Sequence, residues 1–380
     1  MDFTLSEEHK MIQKTARDFA EAELRHDAIE RDEKAIFPEK AVTQLGEMGF
    51  LGMITPEKYG GAGFDMLSYV LALEEIARVD AATCVIMSVT NSLCQCVITT
   101  WGNEEQKQKY LVPLARGEKL GAYALSEPQS GSDASNMRAF AEKKGDHYIL
   151  NGTKNWVTNG KSADTYVVFA LTEKGVGHKG VSAFIVERDF DGFTTGKKED
   201  KLGIRSSDTC ELIFDDCKIP AENLLWEEGR GFKIAMGTLD GGRIGIAAQA
   251  LGIGQAALDK SLKYSKEREQ FNRPISDFQA IQFKLAEMAT ELDAARLLTC
   301  RAARMKDRGE PVTKEAAMAK YYAGDTAMRA ANEAVQIHGG YGYITEYEVE
   351  RLMRDAKITQ IYEGTNEIQR VVIARQLLRE

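Results

Sequence analysis

The segment LDGGRIGIAAQALGIGQAALDK, Leu239 to Lys260, contains Gly252-Ile253-Gly254-Gln255-Ala256-Ala257, a match to the G-x-G-x-x-G/A dinucleotide fingerprint. That fingerprint works only after a strand and at a helix start, where backbone amides face a pyrophosphate. Here it lies inside an alanine-rich helical stretch with no strand before it. The expectation is therefore small residues that let helices pack closely, and no Rossmann unit. The sequence carries no Walker-type loop, nucleophile elbow or metal-ligand motif.

Downstream of this segment the helical pattern continues. Ile281, Leu285, Met288, Leu292 and Ala295 recur at steps of four, three, four and three, as one face of a long bundle helix requires. Alanine-rich stretches carry the theme through Ala334. Upstream the period changes. Tyr166 to Ala170, Val181 to Val186 and Leu212 to Phe214 are short β-rich runs bounded by glycine and charge. Tyr148 to Leu150 and Trp156-Val157 flank Asn151-Gly152, a turn signal. Before them helix returns: Ile12, Phe19 and Ala20 follow a capping box of Thr4 and Glu7, and Gly60 to Gly63 reads as a loop. A chain of 380 residues exceeds one comfortable core. The expected architecture is mainly α with a middle β-domain: a helical domain over 1–120, a β-domain over 121–230 and a helical bundle over 231–380.

The formal net charge of −9 argues against nucleic acid and against an anionic membrane surface. The apolar stretches read as far shorter than a bilayer-spanning helix, so no membrane insertion is expected. The N-terminus MDFTLSEEHK shows no basic segment followed by an apolar core, hence no secretory signal. Six scattered cysteines, with Cys94-Gln95-Cys96 at the wrong spacing for zinc, read as buried free thiols in a reducing cytoplasm.

Several segments bear chemistry. Tyr123 to Asp133, YALSEPQSGSD, joins the first helical region to the strands and is dense in small hydroxyls and glycine. It reads equally as a linker or as a pocket loop offering amides and hydroxyls to a polar ligand. Trp156 beside Thr158 sits at a strand end, and core burial is the commoner fate of a tryptophan. Gln336 to Tyr343, QIHGGYGY, has more glycine than a helix cap needs, and a closely approaching ligand would use it. His338 within it reads as structural. Arg268 and Arg273 flank Phe271, suiting either a phosphate or a solvated helix end. Asp240 and Arg243 are spaced to pair along a helix. In ITQIYEGTNEIQR, Thr365 caps a helix from Asn366, with Glu367 in its favourable first turn. Glu363 lies outside that helix. Beside Tyr362, Ile358 and Ile361 it is either a surface turn or a carboxylate raised by desolvation toward general-base duty, with Gly364 clearing room for a substrate.

YALSEPQSGSD, NGTKNWVTNG, REQFNRPISDFQAIQ, QIHGGYGY and YEGTNEIQR, in this order, resemble signatures of the acyl-CoA dehydrogenase family of flavoproteins over essentially the whole chain. LDGGRIGIAAQALGI and MRDAKITQIYEGTNE look most like its short-chain, butyryl-CoA branch. The resemblance implies a helical N-domain, a β-barrel-like middle domain and a C-terminal four-helix bundle. It implies FAD, with flavin contacts from Tyr123, Leu125, Ser126, Ser132, Trp156, Val157 and Thr158. Arg268, Phe271, Gln279, Gln336, Ile337, Gly339 and Gly340 match positions reaching the FAD of a neighbouring subunit, hence a homo-oligomer, a dimer of dimers. Thr365, Asn366 and Glu367 match further FAD contacts, and Ser132, Asp240, Arg243 and Gly364 match the acyl-CoA site. Glu363 matches the catalytic base, which takes the α-proton of the thioester while hydride leaves the β-carbon, with electrons passed on to electron-transfer flavoprotein.

Two departures stand out. Other branches carry the base at the position held here by Gly242, which cannot serve. Gln129-Ser130 replaces smaller residues within the EPxxGSD loop. Rival expectations on the same fold are an acyl-CoA oxidase, a branched-chain or glutaryl-type dehydrogenase, and a non-catalytic acyl-CoA-binding scaffold.

Overall fold

The structure, a computed structural model, describes residues 4–379. Its first long helix, α1 (Glu7–Phe19), is capped by Ser6, whose Oγ accepts from the His9 amide at 3.2 Å. The cap is thus Ser6 rather than the expected Thr4, because Ser6 holds the extended backbone that an N-cap requires. In α2 (Met66–Val79) every residue except Arg78 is buried. Its two buried carboxylates are paired, Glu74 with Arg296 at 2.7 Å and Glu75 with Arg17.

The next helix, α3 (Ala81–Trp101), corrects the expectation that every apolar stretch is short. It runs 21 residues and is apolar enough to cross a bilayer, yet 94% of its apolar window is buried inside the protein. Its middle, Val89–Gln95, is π-wound and carries polar side chains that bond protein rather than face lipid. Asn91 Nδ2 donates to Phe50 O at 2.9 Å, and Gln95 Nε2 to Leu51 O at 2.6 Å.

Seven strands follow: β1 (Gly121–Ala124), β2 (Phe140–Lys144), β3 (His147–Thr158), β4 (Thr165–Leu171), β5 (Val181–Glu187), β6 (Phe193–Lys198) and β7 (Thr209–Pro220). They form one sheet in the order β1-β4-β2-β3-β7-β6, with β5 also paired to β4. Strand β4 shows the period of two with both faces buried. Tyr166, Val168 and Ala170 enter the core inside the sheet, whereas Val167 and Phe169 pack on helical residues including Val97, Ile98 and Ile234. Asn151-Gly152 is not a hairpin turn. It lies within β3 at a register shift against β7, and a Cβ on Gly152 would come 2.7 Å from Ala139. The glycine serves close strand approach at a bulge.

Helix α4 (Gly231–Glu267) contains the false fingerprint. A Cβ on Gly252 would overlap the Glu74 carbonyl and come 2.6 Å from Ala77, and one on Gly254 would come 2.5 Å from Leu292. Close helix packing, as expected, explains the glycines. A hairpin of β8 (Glu269–Gln270) and β9 (Arg273–Pro274) leads to α5 (Gln279–Asp307), then α6 (Thr313–His338), α7 (Val349–Thr359) and α8 (Asn366–Leu377). The apolar faces of α1 to α7 merge into one helical core, against which one side of the sheet is laid.

Candidate active site

Helix α7 stops at Thr359, and α8 starts behind Thr365, whose Oγ1 accepts from the Ile368 amide at 3.3 Å. Between them the chain turns with two successive left-handed residues, Glu363 at φ +52° and Gly364 at φ +93°. A glutamate in that region costs about 1–3 kcal/mol and persists only where its surroundings over-determine it. They do. The Asn366 amide donates to Gln360 O at 2.9 Å, Gln369 Nε2 donates to Gly364 O at 2.8 Å, and Lys320 Nζ reaches the same carbonyl at 2.8 Å.

The turn aims the Glu363 side chain at α4 and α3. A Cβ on Gly242 would overlap Glu363 Oε2 and come 2.8 Å from Leu93 Cδ2. The helical position and the turn position named in the sequence reading therefore address one spot in space. Glu363 Oε2 is sealed from solvent and has no hydrogen-bond partner. Burial raises the carboxyl to about 8, with the cations of Lys320 and then Arg243 pulling it back down. The phenols of Tyr69, Tyr123 and Tyr362 lie within reach of its charge. Tyr69 donates to Ser88 O at 3.3 Å and Tyr362 bonds Gln249, whereas the Tyr123 hydroxyl is buried without a partner.

One expectation about this turn is corrected. Ile361 is exposed, so of the sequence neighbours named Tyr362 stays at the site, and the other walls, Tyr69, Tyr123 and Leu93, come from distant elements. The space beside Gly364 is taken by the chain itself: a Cβ there would come 2.6 Å from Gln369 Nε2. At φ +93° that glycine also lets the turn close. Asp240 and Arg243 pair at 2.8 Å on α4, and Thr313 Oγ1 donates to Asp240 at 2.6 Å.

The hydroxyl-rich segment Leu125 to Asp133 is a tight loop closed by reciprocal amide bonds between Glu127 and Ser130 at 2.9 and 3.0 Å. Gln129 Nε2 donates to Glu127 at 2.6 Å, so the unusual pair Gln129-Ser130 is accommodated. The fully buried Lys154 holds the loop from below, donating to Glu127 at 2.8 Å and to Leu125 O at 3.0 Å. Asn155 N donates to Ser126 O at 2.9 Å, which sets the loop beside the second bulge of β3. At that bulge Trp156 stands at φ +61° with 64% of its surface exposed. Core burial is thus overturned: the left-handed backbone turns the ring outward between buried Asn155 and Val157, with Thr158 two residues on. Ser132 is exposed on the same loop.

A second cluster lies at the far end of α4. Arg268 ends the helix, and Phe271-Asn272, both left-handed, form the tip of the β8–β9 hairpin as a two-residue turn demands. Phe271 is 87% exposed. A cavity of about 520 Å³ opens beside it, lined by Arg268, Tyr264, Ile337, Gly339, Gly340 and Tyr341. A Cβ on Gly339 or Gly340 would meet nothing within 4 Å, so both face open space. Gln279 and Gln336 are exposed nearby in sequence, on α5 and α6. His338 is buried and stacked on Tyr264 at 4.2 Å, as its structural reading expects. The 25 residues from Arg243 to Arg268 span roughly 37 Å of helix, so one chain holds the two clusters well apart. Asn366 is buried in the turn, and Glu367 is exposed in the first turn of α8.

Lys320 and Gln369 escaped the sequence reading. A signal for Lys320 exists: buried Ala316, Ala319, Ala323 and Ala327 place it on the inward face of α6, where a lysine is out of pattern. No comparable pattern marks Gln369.

Three family models match the chain: the acyl-CoA dehydrogenase N-terminal domain over residues 6–118, the middle domain over 122–217 and the C-terminal domain over 229–378. The chain is 54% identical over 383 residues to a short-chain specific acyl-CoA dehydrogenase of Megasphaera elsdenii, covering all of both chains. It is similar to the structure of butyryl-CoA dehydrogenase from the same organism, with a TM-score of 0.98, 54% identity and full coverage of both. A chain solved in work on the electron transferring flavoprotein of Acidaminococcus fermentans and flavin-based electron bifurcation gives a TM-score of 0.99 at 56% identity, again covering both chains fully. On matched models, relatives and fold together, the chain belongs to the acyl-CoA dehydrogenase family.

Proposed function

We propose that the protein is an FAD-dependent short-chain acyl-CoA dehydrogenase that converts a butyryl-CoA-like thioester to its trans-2-enoyl product, with Glu363 as the base. The observation that carries this reading is the Glu363 carboxyl itself, its Oε2 sealed and unpaired and its proton affinity raised to about 8, opposite Gly242. A buried carboxylate without a partner is costly, so its retention calls for a chemical use.

The residues present fit FAD. Exposed Trp156 offers a ring face, Ser126 and Thr158 offer hydroxyls beside it, and the cavity at Arg268, Gly339 and Gly340 offers a cation and open backbone. The Arg268 cavity lies at the end of α4, roughly 37 Å along the helix from Arg243, which supports a second copy of the chain bringing its hairpin to the first, in a homo-oligomer. FAD, when bound, supplies the hydride acceptor for the substrate β-carbon. Glu363 Oε2 takes the α-proton; the phenol-walled chamber excludes water and keeps that oxygen basic. The Glu363 amide is positioned by the left-handed turn to donate to the thioester carbonyl, and Arg243 and Asp240 border the acyl-CoA entry. Electron-transfer flavoprotein is the proposed acceptor, supported by the setting of the Acidaminococcus relative. All six cysteines are free thiols, in keeping with the cytoplasm as the proposed compartment.

The test is Glu363→Gln. Purified protein is expected to stay yellow while anaerobic butyryl-CoA no longer bleaches the flavin. Bleaching at the wild-type rate would overturn the assignment. A panel of straight, branched and dicarboxylic thioesters reads the acyl preference, and oxygen uptake with substrate alone would favour an oxidase.

A further inference from the structure

The dehydrogenation reading leaves one buried ionisable group beside the base without a role. Lys320, on α6, has no exposed surface. Its Nζ donates to Gly364 O at 2.8 Å and to Asn366 Oδ1 at 3.0 Å, one and three residues beyond Glu363. The neighbouring residues of α6 complete a clasp. Asn366 Nδ2 donates to Tyr321 O at 3.2 Å and to Asp325 Oδ1 at 2.8 Å. Gln360 Nε2, on the near shoulder of the turn, reaches the same Asp325 oxygen at 2.8 Å. Gly324 permits the approach, since a Cβ there would already sit 3.1 Å from Thr359 O. One helix face thus grips both sides of the strained glutamate.

A tether alone needs no charge, and a buried ammonium is expensive. The charges around Glu363 give a reason for one. Lys320 faces it from α6 and Arg243 from α4, while the neutral phenols of Tyr69, Tyr123 and Tyr362 face it from α2, β1 and its own turn. Lys320 in turn faces Glu363, Arg243, Asp325 and Glu367. Arg243 is committed to Asp240 at 2.8 Å, which offsets its field. Asp325 is committed to Gln360, Asn366 and Arg370. The ammonium of Lys320, held on a carbonyl and an amide oxygen, keeps its charge free to act on Glu363.

We propose that Lys320 is a positioning residue for the base: it holds the Gly364 carbonyl and the Asn366 side chain so that Glu363 points at Gly242, and its positive charge favours the carboxylate form. Burial pushes Lys320 down to about 7, with Glu363 the first of the charges that raise it again, and Lys320 is in turn the larger of the two charges that lower Glu363, so the ammonium acts on the acid side of that value. This inference rests on the reading of Glu363 as the base.

The experiment compares Lys320→Met, Lys320→Gln and Lys320→Arg as flavin-loaded enzymes, with Glu363→Gln as the control. The readout is the pH profile of anaerobic flavin reduction by butyryl-CoA. Both neutral variants are expected to move the acid limb upward by one pH unit or more, so that reduction below the limb falls about tenfold or further. Lys320→Arg is expected to return the limb toward wild type. Lys320→Gln retains a donor for Gly364 O and therefore keeps the test open if Lys320→Met folds poorly. A neutral variant that loads flavin and keeps the wild-type limb overturns the proposal, as does a loss of rate at every pH with the limb unmoved. If Glu363→Gln itself turns over normally, the base assignment fails independently of anything seen at Lys320.

Discussion

Glu363 combines two features that act against stability: a left-handed backbone and a carboxyl oxygen, Oε2, sealed without a partner. Its folded-state value near 8 lies above the ordinary carboxylate range, so the folded protein binds this proton more tightly than the unfolded chain does. Stability from this group is therefore present below the unfolded value and is lost as pH rises toward 8. Glu363→Gln removes that slope. Chemical denaturation across pH 5–9 is expected to show a flatter stability profile for the variant, and an identical slope would contradict the buried setting. The same titration governs activity. For wild type, kcat/KM is expected to climb roughly tenfold per unit on the acid side and level off near 8, as a base that must be ionised in the free enzyme requires. Gly242→Ala probes the chamber from α4. The added methyl would overlap Glu363 Oε2 and crowd Leu93, so flavin reduction is expected to fall at least tenfold with flavin content unchanged.

At the scale of elements, α4 unites the packing and the chemistry. Gly242 opens the chamber for Glu363, and Gly252 lets the same helix lie on the backbone of α2. Gly252→Val is expected to lower stability by about 1–3 kcal/mol through overpacking, read as a drop in denaturation midpoint. Wild-type stability in that variant would remove the packing account of the false fingerprint. Helices were the legible elements: the face running from Ile281 to Ala295 needs only local periodicity, and it appears in α5 with Met288, Leu292 and Ala295 buried. Strand β3 was misread at Asn151-Gly152 because a glycine in a bulge and a glycine in a hairpin look alike until the partner strand is known. The exposure of Trp156 was not legible from the residues for the same reason. Its exposure follows from a left-handed bulge that only the pairing with β7 creates.

Across the whole molecule, charge reinforces the buried Ile204 in joining the strand region to the helices on one side. Arg354 on α7 bonds Asp32 Oδ2 at 2.8 Å and the Leu202 carbonyl at 3.1 Å, and Arg205 donates to the Asp32 carbonyl at 3.1 Å. A Cβ on Gly203 would overlap the Arg354 backbone, so this contact is close. Arg354→Met leaves Asp32 with little solvent and no partner there, and a loss of about 3 kcal/mol is expected in denaturant titration. An unchanged midpoint would show the contact to be incidental. What the amino-acid order determined by itself was local: the change from helical to strand period, the Thr365 cap, the exclusion of a Rossmann unit, and a glutamate left outside any helix. What only the tertiary structure decided was the environment of that glutamate. Its walls and charges come from Tyr69, Leu93, Tyr123, Gly242 and Lys320, on five separate elements. Burial and electric field are sums over residues distant along the chain, so no window of sequence contains them.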